Sequence, residues 1–132
     1  MNEQKNYETL SVLIIDNIDE CSILEKYIKD LGYRVVAVES YSDALKKVKK
    51  IDFDLIVMDM NLSGDDWINI VFKIREIVGE ANIVMMSDSN TLDIELSVRE
   101  QRVMYYIVKP LELCEIKSIM EYLSQKKLSK AV

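Results

Sequence analysis

The chain has 132 residues, 49% hydrophobic and 30% charged, which suits one ordinary domain with a real core. Its net charge of −6 repels nucleic acid and anionic membrane surfaces, and the absence of histidine excludes a histidine base, nucleophile or metal ligand. Two distant cysteines, Cys21 and Cys114, fit neither a disulfide framework nor a zinc knuckle and read as free thiols of a reducing compartment.

Residues 1–9 are polar and carry no signal-type apolar stretch, and no run is long enough to span a membrane, so a cytoplasmic protein is expected. The first apolar run, residues 11–16 (SVLIID), reads as a buried strand. After it Ile23, Leu24, Tyr27, Ile28 and Leu31 recur at helical spacing, and Gly32 stands where a helix C-terminus favours positive φ. Residues 34–38 (RVVAV) form the second run. Ser40 or Ser42 can cap the next helix, with Tyr41, Ala44, Leu45 and Val48 on its inner face. Residues 54–59 (DLIVMD) give the strongest strand signal. The following helix carries Trp67, Ile70, Val71, Ile74, Ile77 and Val78, and Gly79 closes it.

The fourth run is residues 82–87 (NIVMMS). A helix over about 90–101 has a weaker stripe of Leu92 and Leu96 with Ile94 or Val98. The fifth run, residues 103–108 (VMYYIV), is broken by Pro110, which is expected to start the last helix with Leu113, Ile116, Ile119, Met120 and Leu123 facing inward. The order is β-α five times. Right-handed crossovers make this an α/β fold, a doubly wound five-stranded parallel sheet with helices on both faces. The whole chain, 1–132, is one domain with its core over about 11–125; residues 1–9 and 126–132 are expected to be flexible, the polar tail from Lys126 fraying.

In such a sheet function gathers beyond the carboxyl ends of the strands. Asp16 and Asn17 follow strand one, Asp59 ends strand three, Ser87 ends strand four, and Lys109-Pro110 follows strand five. Singly, each has a plain structural reading: a helix cap, a turn former, a solvated lysine. Together they bring two carboxylates, an amide, a hydroxyl and an ammonium to one shallow pocket. A carboxylate can form an acyl phosphate, carboxylates can hold Mg²⁺, and a lysine and a hydroxyl can bind phosphoryl oxygens. No glycine-rich phosphate loop is present, so the phosphoryl donor must come from outside.

In these motifs, in this order, residues 11–125 resemble the receiver domain of bacterial two-component response regulators. The resemblance implies strand order 2-1-3-4-5, with Asp59 as phosphoacceptor and a histidine kinase or phosphotransfer protein as donor. It implies Mg²⁺ held by Asp16, Asp59, the main-chain carbonyl of Asn61 and, weakly, Asn17. Ser87 and Lys109 bind the phosphoryl oxygens, and Ser87 and the aromatic Tyr106 act as a switch. The face of helix four, strand five and helix five then meets a downstream protein or a second copy of the chain. The module is a signalling receiver rather than an enzyme, at most assisting its own phosphorylation and dephosphorylation.

Three departures stand out: a neutral Asn17 where the family has a charged metal ligand, a loop at residues 62–67 (LSGDDW) without the family's proline, and Asp88 where a small residue is usual. Asp88 and Ser89 are therefore candidate modulators. Asp88 can repel a phosphoryl group, make up for Asn17 at the metal, or simply cap helix four. The alternative is a pseudo-receiver that binds partners without phosphorylation. A dehalogenase-type phosphatase needs an acid where Asn61 stands, and a flavin site is opposed by the acidic residues 18–20. Arg102 also replaces a glycine of the family pattern. No effector domain follows in the sequence, so output is expected through another protein unless the chain is part of a longer regulator.

Overall fold

The computed structural model describes residues 9–131. Five strands alternate with five helices: β1 (Ser11–Ile15), α1 (Ile18–Asp30), β2 (Arg34–Val38), α2 (Tyr41–Lys50), β3 (Leu55–Asp59), α3 (Trp67–Val78), β4 (Ile83–Ser87), α4 (Leu92–Glu100), β5 (Tyr105–Val108) and α5 (Leu113–Ala131). All pairings are parallel, and the order is β2-β1-β3-β4-β5.

Strand alternation splits the core into two layers. Val12, Ile14, Leu55, Val57, Val84, Met86 and Ile107 face α1 and α5, where Leu24, Ile28, Ile116 and Met120 meet them. Leu13, Ile15, Ile56, Met58, Ile83 and Met85 face α2, α3 and α4, against Tyr41, Ala44, Ile70, Val71, Ile74 and Val98. Both faces of the central strands are covered, which is why β3 and β4 are apolar almost throughout.

Caps set the helix ends. Ser40, not Ser42, caps α2 by accepting the Asp43 N–H, and Thr91 caps α4 by accepting the Ile94 N–H. Gly32 and Gly79 adopt φ 98° and 75° after α1 and α3.

Several expectations change. Ile23 and Ile77 are exposed, since each lies at the margin of its helix's stripe, and the buried Cys21 takes a core position on α1. On α4 the inward residue is Val98, with Ile94 half-buried, while Leu92 and Leu96 are 68% and 48% exposed. These pairs lie two residues apart, on opposite sides of the helix, and the sheet selects the β-branched one. Pro110 does not start the last helix: the Lys109-Pro110 peptide is cis, and α5 begins at Leu113.

That helix continues to Ala131, past the point where the tail was expected to fray. The Lys127 ammonium ties it to Asp54 Oδ2 at 3.3 Å and to the Thr9 carbonyl at 3.4 Å. The expectation for residues 1–8 lies outside the described residues. Among the described residues no helix is long and apolar enough to cross a membrane.

Candidate functional site

The strand order reverses between β1 and β3, and the carboxyl ends of β1, β3, β4 and β5 meet there. Strand parity assigns the site groups to layers. Asp59 continues the face of Leu55 and Val57, so it joins Asp16 and Lys109 on the α1–α5 side. Ser87 continues the face of Ile83 and Met85, and it shares the α4 side with Tyr106. The ladder extends into the site, where the Lys109 N–H donates to the Ser87 carbonyl at 2.8 Å. Among the described residues the buried polar side chains are Asp16, Asp59 and Ser87, at 2%, 3% and 0% exposure.

Lys109 is the hub. Its ammonium lies 3.1 Å from Asp16 Oδ2, 2.5 Å from Glu20 Oε2, 3.5 Å from Asp59 Oδ1 and 3.9 Å from Asp88 Oδ1. Burial alone would lower the lysine pKa. The bonds to Glu20 and Asp16 and the charges of Asp16 and Asp59 outweigh it, so the pKa is raised and Lys109 stays charged.

Burial pushes the Asp16 carboxyl up to about 6, against the Asn17 N–H and the Lys109 bond and charge, with the Asp59 charge adding to the rise. Burial also raises Asp59, opposed by Lys109 and the Asn61 N–H and reinforced by the Asp88 charge. Asp59 Oδ1 is buried with no hydrogen-bond partner. Four carboxylates thus surround one ammonium, a negative excess that a further cation would relieve. No three Asp, Glu, Cys or His side chains among the described residues are already arranged as a metal cage.

Asn17 does not turn its oxygen toward the pocket. Oδ1 accepts the Glu20 N–H at 3.2 Å and caps α1, while Nδ2 donates to Asp16 Oδ1 at 3.3 Å. Asn61 Oδ1 accepts the Asp88 N–H at 3.1 Å, joining the loops after β3 and β4. The Ser87 hydroxyl donates to the Ser89 carbonyl at 2.6 Å. Tyr106 is half-buried, and its hydroxyl donates to Asn90 Oδ1 at 3.1 Å, with the Ser89 carbonyl at 3.5 Å. Ser89 therefore links the serine and the tyrosine.

Sequence reasoning missed two groups. Glu20 contacts Lys109, and its signal was its place in the first turn of α1, four residues after Asp16. Tyr41 donates its hydroxyl to the Asp59 carbonyl at 2.7 Å and braces the Asp59 backbone; it reads from sequence as plain core. In the loop without proline, Asp65 accepts the Asp66 N–H at 2.7 Å and an Asn69 N–H at 3.0 Å, while Gly64 adopts φ 105°.

The family pattern described as the response regulator receiver domain matches residues 12–121. The chain is similar to the transcriptional regulatory protein ZraR of Klebsiella oxytoca, at 25% identity over 126 residues, covering 94% of this chain and 28% of ZraR. It therefore spans about a quarter of that curated relative's length. Its fold is similar to a CheY-like receiver domain protein from Methanospirillum hungatei JF-1, with TM-score 0.82, 15% identity, and 92% and 98% of the two chains covered. It is also similar to a response regulator from Burkholderia pseudomallei with a phosphorylated aspartic acid and a calcium ion, with TM-score 0.76, 17% identity, and 93% and 73% covered. With the pattern spanning most of its length and an acidic pocket closed by Lys109 at its strand ends, this chain belongs to the response regulator receiver domain family, the signalling modules of two-component systems.

Proposed function

We propose that Asp59 accepts a phosphoryl group from the phosphohistidine of a cytoplasmic histidine kinase or phosphotransfer protein. The event then changes how the face of α4, β5 and α5 meets a downstream protein or a second copy of the chain. The observation that carries this reading is the burial of Asp16, Asp59 and Ser87 together at one sheet edge, with Asp59 Oδ1 lacking a hydrogen-bond partner. Burying such groups costs stability, and sites that serve chemistry bear that cost.

In the transfer, a carboxylate oxygen of Asp59 forms a P–O bond as the donor's P–N bond breaks, and the electron pair leaves with the imidazole. Lys109 balances the growing charge on the phosphoryl oxygens. The Ser87 hydroxyl gives up the Ser89 carbonyl to donate to one of them, which loosens the loop that Tyr106 also holds. Asp16, Asp59 and the Asn61 main-chain carbonyl are the groups that would hold Mg²⁺, and the negative excess around Lys109 fits a divalent ion. When bound, the ion supplies charge neutralisation at the phosphoryl oxygens. Asn17, committed to its helix cap, supports weak binding.

The test is incubation with acetyl phosphate and Mg²⁺ followed by intact mass. Wild type is expected to gain one phosphoryl adduct that Asp59→Asn lacks; an adduct that persists in Asp59→Asn refutes the assignment. A wild type that takes no adduct would favour the second reading, a phosphorylation-independent interaction module, which the cap role of Asn17 and the carboxylate of Asp88 support.

A further inference from the structure

Of the contacts Lys109 makes in the pocket, the one to Asp59 is longer than those to Glu20 and Asp16. Lys109 is only 10% exposed. Asp59 Oδ1, buried 3.5 Å away, is left without a hydrogen bond.

The cause lies in the first turn of α1. Asn17 Oδ1 accepts the Glu20 N–H, which fixes that turn and aims the Glu20 side chain back over the strand ends. The amide that replaces a charged residue and the carboxylate that grips Lys109 therefore form one unit. Glu20 is 47% exposed, and it borders a pocket of about 530 Å³ together with Asp16, Asp88 and Lys109, so it has room to swing away.

We propose that Glu20 is a positioning residue that draws the Lys109 ammonium toward itself and keeps its contact with Asp59 long, until an arriving phosphoryl group takes the ammonium from it. The inference rests on the reading of Asp59 as phosphoacceptor. A phosphoryl group brings about two negative charges and several acceptor oxygens, against the single charge of Glu20, so the exchange runs forward. The threshold for capture is set by the Glu20–Lys109 pair.

The experiment is NMR titration of the full chain with beryllofluoride at fixed Mg²⁺, on wild type, Glu20→Gln, Glu20→Asp and Asp59→Asn. Glu20→Asp keeps the charge but withdraws the carboxylate by one methylene, which lengthens its contact with Lys109. Both Glu20 variants are expected to bind beryllofluoride about two- to fivefold more tightly, the range of a partly exposed ion pair. Without any ligand, Glu20→Gln is expected to shift the Lys109 Hε–Cε signal.

If Glu20→Gln tightens binding while Glu20→Asp matches wild type, bare charge is at work and the positioning role is overturned. It is equally overturned if the Lys109 signal stays put, if neither variant changes affinity, or if Glu20→Gln weakens Mg²⁺ binding measured alone, which would make Glu20 a servant of the cation. Asp59→Asn separates the two readings. A beryllofluoride response that survives there, or is absent from wild type, sinks the phosphoacceptor reading whatever the Lys109 signal does.

Discussion

Asp88 stands at the pocket mouth, 66% exposed, with its carboxylate 3.9 Å from Lys109 and its charge felt by Asp59. Thr91, not Asp88, caps α4, so a capping role is excluded, and the backbone N–H of Asp88 is spent on Asn61. Repulsion at Asp59 and compensation for Asn17 remain, and the rise that the Asp88 charge causes in the Asp59 pKa favours repulsion. Asp88→Ala is expected to speed phosphorylation by acetyl phosphate about two- to fivefold, as suits one screened surface charge; an unchanged or slower rate in a mass-spectrometric time course would contradict this. Asp59 itself stores instability. A carboxylate whose pKa is raised by folding opposes folding once ionised, so stability falls as pH climbs from the ordinary carboxylate range of 3.8 toward the raised values, about 6 for Asp16. Asp59→Asn removes one such group and its repulsion of Asp16, while Lys109 keeps its two nearest partners. It is expected to stabilise the protein by about 1 kcal/mol near pH 7 and by little near pH 4, read from urea unfolding at both.

At the scale of elements, the helices differ in how well their pattern declares the inner face. α1 and α3 bury Leu24, Ile28, Ile70, Val71 and Ile74 as their spacing indicates. α4 offers two candidate stripes, and only contact with the sheet decides between them. Its C-terminus is also unusual. Arg102 adopts φ 54°, in the left-handed region, and its carbonyl accepts a bond from Arg75 at 3.2 Å. A side chain with a Cβ is strained there, whereas glycine is not, and the bond to Arg75 uses only backbone. Arg102→Gly is therefore expected to raise stability by about 0.5–1 kcal/mol, since relief of the left-handed strain exceeds the added chain entropy. A fall in thermal midpoint would show that the Arg102 side chain matters more than its backbone.

For the molecule as a whole, the proposed Mg²⁺ site would link cation binding to folding, because an unfolded chain cannot gather Asp16, Asp59 and the Asn61 carbonyl. Mg²⁺ at about ten times its Kd is expected to add roughly 1.4 kcal/mol to stability, and a chelator to remove it. The gain should vanish in Asp59→Asn, and calorimetry of the two proteins checks it. The amino-acid sequence by itself determined the β-α alternation, since apolar runs of strand length and helical spacing are local properties. It also determined which residues end the strands, so the places of Asp16, Asp59, Ser87 and Lys109 at the strand ends were legible from it alone. The tertiary structure alone decided whom those groups face. Strand parity sent Ser87 toward Ser89 and α4 rather than toward Lys109. The cap formed by Asn17 turned its oxygen into the helix and brought Glu20 onto the ammonium. The Asn17 cap is local, reaching only to Glu20, but the Glu20–Lys109 pair joins residues far apart in the chain and the Ser87 bond depends on which face a strand presents, and neither of these is carried by local pattern.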